Sequence, residues 1–155
     1  MKRRTMVTAL IISLSMGMIA CTESSGETTE AEANSGATTE QSTAAQGIKP
    51  EDVQLTTPLN AEWVATGKST YELKCQSCHK LTDEKLVGPG WAGVTKKREP
   101  HWILNMITNV DMMLETDAEA QKLLEQCLVR MPNQNINQDD ARKVLEFMRS
   151  NDGEK

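Results

Sequence analysis

Cys75-Gln76-Ser77-Cys78-His79 is the stretch of this 155-residue chain that decides how the rest is interpreted. It places two thiols and an imidazole within five consecutive residues. A zinc site would need four ligands, yet the only other histidine is His101 and the only other thiol near the domain is Cys127. A thioredoxin-type dithiol would follow a strand in an alternating α/β pattern, which is absent here. A disulfide within the stretch would close too small a loop to add much stability.

The same spacing is the sequence pattern for covalent attachment of a c-type haem. Two intervening residues let the sulfurs of Cys75 and Cys78 reach the two vinyl groups on one edge of the porphyrin, and the imidazole of His79 then projects under the iron. Aromatic residues make up only 3% of the chain, so a bulky apolar cofactor would help to fill the core. The sequence therefore predicts one covalent haem c, with His79 as an axial ligand.

Four helices are predicted around this stretch, and no strand pattern competes with them, so the predicted fold class is all-α. The first helix runs from about Asn60 to Lys74, with apolar residues at helical spacing. The four helices share recognisable start signals, which are Asn60, Pro100, the pair of Thr116 and Glu119 in a capping box, and Asn137.

From about Asn60 to Asp152 the chain resembles the class I cytochromes c. The motifs that carry the resemblance appear in the family's order: Gly67 and Tyr71, the CxxCH stretch, Gly88-Pro89, Gly93-Val94, Trp102, Met131-Pro132 and a closing amphipathic helix. The resemblance implies about four helices around one haem, with the first and last helices crossing where Gly67 or Tyr71 meets Phe147. It also implies that the carbonyl of Pro89 accepts a hydrogen bond from Nδ1–H of His79.

The second axial ligand of the haem iron is expected to be Met131. Pro132 disfavours helix at the residue before it, so Met131 should lie on a stiff loop between the third and fourth helices, where the family presents its methionine. Met106 and Met148 lie on apolar helical faces and are predicted to be core residues. The alternatives for the sixth iron position are Met112, Met113, His101 or an open site.

Several other side chains have two interpretations each. Cys127 continues an apolar stripe and is predicted to be a buried thiol rather than a redox-sensitive one. Trp102 is expected in the haem pocket or core, whereas Trp63 and Trp91 could equally be partly exposed. The lysines and arginines near the haem segment and the Met131 loop either form a positive rim that steers an acidic partner or are scattered solvated charges.

The N-terminus carries the features of an export signal. Lys2, Arg3 and Arg4 precede an apolar run from about Met6 to Ile19, which is short for a membrane span, although an uncleaved anchor is the alternative. The segment from Met18 to Cys21 resembles the bacterial lipobox, in which cleavage occurs before a lipidated cysteine. Residues 1–20 are therefore predicted to be a lipoprotein-type signal peptide, and Cys21 to be the lipidated residue.

Composition and charge divide the rest of the chain. Residues 21–59 are predicted to be the lipidated cysteine and a disordered acidic tether, because their small and polar residues bury too little surface to offset the entropy of ordering. Residues 60–155 are predicted to be the haem domain. The formal net charge of the chain is −5, and loss of residues 1–20 removes three positive side chains and no negative ones, which leaves −8. This charge excludes nucleic-acid binding.

The resemblance implies an electron carrier rather than an enzyme, because a His and Met pair fills both axial positions of the iron. The expected donor is a quinol-oxidising complex or another cytochrome, and the expected acceptor is a terminal reductase or oxidase. The expected location is the periplasmic side of a bacterial membrane, reached through a lipid anchor. The alternative is a haem sensor or small peroxidase with an open or labile sixth iron position.

Overall fold

The computed structural model describes residues 47–155, so that the predicted signal peptide, Cys21 and most of the predicted tether lie outside the described residues. Within these residues, a single 3-10 turn is followed by six helices, which are α1 (Ala61–Lys74), α2 (Val94–Lys97), α3 (Pro100–Thr108), α4 (Val110–Thr116), α5 (Ala118–Cys127) and α6 (Gln138–Asn151). The described part of the chain contains no strand, only an isolated bridge between His79 and Lys85. The all-α prediction is confirmed, with six helices where four were expected.

The first and last helices begin where their caps were predicted. The side chain of Asn60 accepts a hydrogen bond from the backbone N–H of Trp63 at 3.0 Å, and that of Asn137 accepts one from Asp140 at 2.8 Å. An asparagine at this position satisfies one of the backbone donors that the first turn of a helix leaves unpaired. Both predicted starts are confirmed.

The predicted cap of α5 is wrong by one residue. Asp117 caps this helix, accepting a hydrogen bond from the backbone N–H of Ala120 at 2.8 Å. Thr116 is not available for the role, because it ends α4 and its hydroxyl donates to the carbonyl of Met112 at 2.8 Å.

The helix predicted to start at Pro100 is interrupted at Asn109. The backbone of Asn109 leaves the helical region (φ −145°, ψ 61°), and its side chain accepts from the N–H of Met112 at 3.2 Å to start α4. The apolar stripe runs from Trp102 through Val110 without a gap, so periodicity alone does not show the break. The single-turn helix α2, after the left-handed Gly93 (φ 73°), was also not predicted.

Helices α1 and α6 cross in close contact. A β-carbon on Gly67 would lie 2.6 Å from the carbonyl carbon of Lys143 and 3.0 Å from the β-carbon of Phe147, so only a glycine allows this approach. One turn later, the ring of Tyr71 lies 5.5 Å from the ring of Phe147. The predicted meeting of Gly67 or Tyr71 with Phe147 is confirmed.

Residues 47–60, hereafter the strap, pack on the helices. Ile48 is buried, and its backbone makes two hydrogen bonds with the side chain of Asn105 in α3, at 2.7 and 2.8 Å. The hydroxyl of Thr56 and the backbone N–H of Asn60 both donate to the carboxylate of Glu146 in α6. Residues 47–59, which composition places in the disordered tether, therefore belong to the folded domain, because side chains distant in sequence satisfy their polar groups.

Glu146 is the centre of a buried charge cluster under the strap. Its carboxylate is fully buried and pairs with Arg142 at 2.6 Å and Arg149 at 3.0 Å. Burial alone would raise the pKa of Glu146, but hydrogen bonds from Thr56, Arg142 and the Asn60 backbone outweigh it and leave the pKa lowered. Glu146 is therefore an ionised anchor for the strap.

None of the helices in residues 47–155 is long and apolar enough to cross a membrane.

Candidate cofactor site

The CxxCH stretch forms a tight turn at the end of α1. Cys75 caps the helix, and its carbonyl accepts hydrogen bonds from the backbone N–H groups of Cys78 and His79, both at 3.0 Å. The hydroxyl of Tyr71 donates to the carbonyl of His79 at 2.8 Å and ties the turn back to the helix. The two thiols are half-buried and not joined to each other. Burial, with the neighbouring Cys78, raises the pKa of Cys75 to about 11, so this thiol is neutral at physiological pH.

The imidazole of His79 is held through one ring nitrogen. Nδ1–H donates to the carbonyl of Pro89 at 2.8 Å, which is the contact that the family resemblance implied. Burial lowers the pKa of His79, although the hydrogen bond to Pro89 acts in the opposite direction. The ring is therefore neutral near pH 7, and Nε2 is the nitrogen left with a free lone pair.

The segment from Gly88 to Trp91 forms a cradle for this ring. A β-carbon on Gly88 would lie 2.8 Å from Nδ1 of His79, so that residue 88 must be glycine for the ring to sit where it does. Backbone hydrogen bonds from Gly88 to Cys78 (2.9 Å) and from Trp91 to Lys80 (2.8 Å) hold the two segments together.

Trp91 is a site residue that sequence reasoning missed. It is 6% exposed, and its ring lies 5.4 Å from that of His79 and 5.0 Å from that of Tyr71. The sequence left its exposure open. Its position three residues after Gly88, in a segment that the motif order already associates with His79, is the signal that could have found it.

An apolar cavity of about 270 Å³ opens beside His79. Cys78, His79 and the Gly88–Trp91 segment line one part of it, and residues of α2 to α6 line the rest. Met131 and Pro132, on the loop between α5 and α6, also line this cavity. The structure thus brings Cys78, His79 and Met131 to one cavity from segments about fifty residues apart in the chain.

The remaining candidate ligands divide by position. Met112, Met113 and His101 are not among the residues that line the cavity. Met148 is a buried core residue, as predicted, and also lines the cavity, whereas Met106 lines the cavity and is not among the buried core residues. Cys127 is half-buried and also lines the cavity rather than being enclosed in the core. Trp102 lies in the lining as expected, with its indole N–H donating to Asp117 at 3.1 Å.

These residues fit a covalently attached haem. Two unpaired thiols and a neutral imidazole lie on one turn, the glycine cradle fixes the ring, and the cavity beside it is mostly apolar. Among residues 47–155, no group of three or more His, Cys, Asp or Glu side chains is placed to hold a metal ion. The zinc arrangement considered from sequence is therefore not formed by the described part of the chain.

Comparisons with known proteins agree with this assignment. The family model for cytochrome c matches residues 64–152. The solved cytochrome c from Rhodothermus marinus is 26% identical, with a TM-score of 0.65, and the match covers 74% of this chain and 97% of that one. Two engineered forms of the Rhodothermus protein, one bound to a carbene intermediate, are each 25% identical, with TM-scores of 0.61 and 0.64, and cover 74% of this chain and 98% of theirs. No curated protein matches.

The family match spans more than half of the chain and begins inside α1, before the CxxCH turn. It extends through the cavity-lining helices to the last residues of α6. The matched region therefore contains every residue predicted to hold the cofactor. This chain belongs to the cytochrome c family, whose members are electron carriers with covalently bound haem c.

Proposed function

We propose that this protein is a one-electron carrier of a respiratory chain, in which His79 and Met131 would hold the haem iron. The observation that supports the proposal most strongly is that His79 and Met131 line one apolar cavity while Nδ1 of His79 is already engaged by Pro89. Nε2 is the ring atom left for iron. Cys75 and Cys78 would form the two thioether bonds.

Haem c, when bound, supplies reversible exchange of one electron between ferric and ferrous iron. The residues of this chain set the conditions for that exchange. Pro89 fixes the tautomer and orientation of His79, as second-shell partners do for metal-bound imidazoles. The thioether of Met131 is a soft ligand that favours ferrous iron. The apolar lining limits the access of water to the site.

The sensor or peroxidase alternative receives less support from the site. His101, the residue that could have served as a distal histidine, is not among the residues that line the cavity. Two arginines do line it, but Arg98 is paired with Glu119 at 3.1 Å and Arg130 is paired with Asp111. Apart from His79, whose Nε2 is assigned to the iron, no described histidine or arginine that lines the cavity is thus left unpaired to act on a bound gas or peroxide.

Replacing Met131 with alanine tests the carrier assignment. The variant should have a lower midpoint potential and should bind cyanide, because a soft ligand is removed and the sixth position is vacated. Met106→Leu is the matched control, since Met106 lines the same cavity; it should change neither property substantially. Retention of the wild-type potential and refusal of cyanide by Met131→Ala would show that another residue holds the iron. Ready binding of carbon monoxide by the wild type at neutral pH would favour the sensor.

We further propose that the carrier works on the periplasmic side of a bacterial membrane, anchored by lipid at Cys21. The support is the sequence of residues 1–21, which lies outside the described residues. A quinol-oxidising complex or another cytochrome would reduce it, and a terminal reductase or oxidase would oxidise it. Multiple acyl chains anchor a protein firmly, so Cys21→Ala should move it from the membrane to the soluble fraction or block its cleavage. Normal cleavage with unchanged membrane association would refute the anchor.

A further inference from the structure

One lysine side chain links the two segments that carry His79 and Met131. Nζ of Lys85 donates a hydrogen bond to the carbonyl of Gln126 at 2.7 Å. The backbone of Lys85 is also joined to that of His79 by the isolated antiparallel bridge. Gln126 lies in the last turn of α5, which precedes residues 128–137, hereafter the Met131 loop. Lys85 therefore connects the turn that holds His79 to the helix end from which the Met131 loop departs.

The C-terminal end of α5 lacks two features that commonly stabilise a helix end. The last four carbonyls of a helix have no partner within it, and the helix dipole places partial negative charge there. No residue in the last turn of α5 is basic. Its C-cap is Leu128, whose left-handed backbone (φ 59°) carries a steric cost that the more usual glycine avoids. The ammonium group of Lys85 supplies, from another segment, a cation and a hydrogen-bond donor to this helix end.

The Met131 loop has few other fixed points. Residues 129–136 take part in no backbone–backbone hydrogen bond within the described part of the chain. Two hydrogen bonds inside the loop connect residues that are two positions apart. One surface ion pair, between Arg130 and Asp111, joins the loop to α4. The position of Met131 therefore depends on how firmly the last turn of α5 is held.

We propose that Lys85 is a positioning residue for Met131, and that its bond to α5 determines how readily the sixth iron position opens to an added ligand. The inference rests on the proposed function, in which Met131 would hold the iron. Lys85 is not among the residues that line the cavity, so it acts through the end of α5. The Met131 loop moves away from the cavity more easily when the last turn of α5 frays, and the bond from Lys85 opposes this fraying.

Titration of the ferric, haem-loaded chain with imidazole tests this role. At about pH 8 imidazole is largely uncharged, so the charge of a lysine has little direct effect on the probe. Lys85→Met removes the charge and the donor but keeps an unbranched side chain. It should bind imidazole about fivefold more tightly than the wild type, the effect expected from one charged contact at a helix end. Lys85→Arg, which keeps the charge and the donors, should resemble the wild type.

Lys80→Met is the matched control. Lys80 lies on the same segment as Lys85 and pairs with Glu84 at 2.7 Å. Its replacement removes the same charge without removing the bond to α5, so the affinity for imidazole should not change. The same gain in Lys80→Met as in Lys85→Met would show a general effect of charge and overturn the proposal. The same gain in Lys85→Arg would also overturn it.

Two further measurements show whether Lys85 acts through Met131. In a Met131→Ala background, Lys85→Met should not change the affinity for imidazole, because the residue that it positions is gone. In Lys85→Met alone, hydrogen exchange should be about fivefold faster at the N–H of Leu128. This N–H donates to the carbonyl of Leu124 at 2.8 Å and so reports on the last turn of α5.

The outcomes separate this proposal from the proposed function. An equal gain in affinity with and without Met131 would overturn the positioning role. Unchanged affinity in Lys85→Met, when Met131→Ala binds imidazole tightly, would reject the positioning role alone. If Met131→Ala binds imidazole no better than the wild type, then Met131 does not hold the iron and the proposed pair of ligands is itself wrong.

Discussion

Gly88 lies so close to the imidazole of His79 that a β-carbon on residue 88 would be 2.8 Å from Nδ1. The ring cannot move away freely, because its Nδ1–H is bound to Pro89 and its face is near Trp91. Glycine at this position is therefore part of how the chain orients the imidazole of His79. Residue 88 must be glycine because glycine has no side chain to contact the imidazole, and not because glycine has a more flexible backbone.

Gly88→Ala should consequently displace the imidazole of His79. We expect a changed visible absorption spectrum of the haem-loaded protein, and a loss of about 1–3 kcal/mol of stability, which is typical of overpacking. Absorption spectroscopy and urea denaturation measure the two effects. A variant with the wild-type spectrum and the wild-type urea midpoint would show that the segment around Gly88 relaxes without moving the ring.

Gly67→Ala should push α1 and α6 apart. The new methyl group would meet the backbone of Lys143, which cannot rotate away as a side chain could. We expect a net loss of about 1–3 kcal/mol from overpacking, despite the gain of about 1 kcal/mol that alanine brings to a helix interior. Ser69→Ala, at an exposed position of the same helix, is the control and should be nearly neutral. Equal urea midpoints for the two variants would contradict the close crossing.

Glu146→Gln should destabilise the domain, because it leaves Arg142 and Arg149 beside a neutral group in a buried site. Breaking a buried ion pair typically costs about 3–5 kcal/mol, and we expect a loss near the lower end, since glutamine still accepts hydrogen bonds. The free energy of unfolding in urea measures the effect. Glu125→Gln, at an exposed position on α5, should change it little.

The same cluster predicts how stability depends on pH. The pKa of Glu146 is lowered from 4.5 in the folded state, so its contribution is fully present above that value and is lost as the pH falls through the lowered pKa. The difference in stability between wild type and Glu146→Gln should therefore be constant near neutral pH and should shrink below about pH 4.5. A difference that stays the same through acid unfolding would show that the carboxylate is not ionised in the folded protein.

Asn105→Ala should release the first part of the strap. The side chain of Asn105 both accepts from and donates to the backbone of Ile48, and both bonds are buried. Their loss leaves two buried backbone groups unpaired, at a cost of about 1–3 kcal/mol each if water cannot reach them. Limited proteolysis should then cut within residues 47–53, where the wild type resists. Thr108→Val, which removes a hydroxyl from the same helix without touching the strap, should leave the cleavage pattern unchanged.

The sequence by itself determined the parts of this protein that depend on neighbouring residues. The CxxCH spacing identifies the haem segment, because attachment to one porphyrin edge needs two thiols and an imidazole within five consecutive residues. Asn60 and Asn137 identify the starts of the first and last helices, because a cap bonds to a backbone group three residues along the chain. The crossing of α1 and α6 and the contact of Pro89 with His79 were implied by the resemblance to the class I cytochromes c, which the order of the motifs supports.

Only the tertiary structure decided what depends on contacts between distant segments. The strap is ordered because Asn105 and Glu146, more than fifty residues away, satisfy its polar groups, and composition does not encode such partners. Trp91 is buried because the 88–91 segment folds onto the turn that holds His79. Met106 and Cys127 line the cavity rather than the core. The sequence could not show this, because a cavity wall and a core are both apolar and a hydrophobic stripe is compatible with either. The position of these residues is decided only when the helices are placed around the cavity.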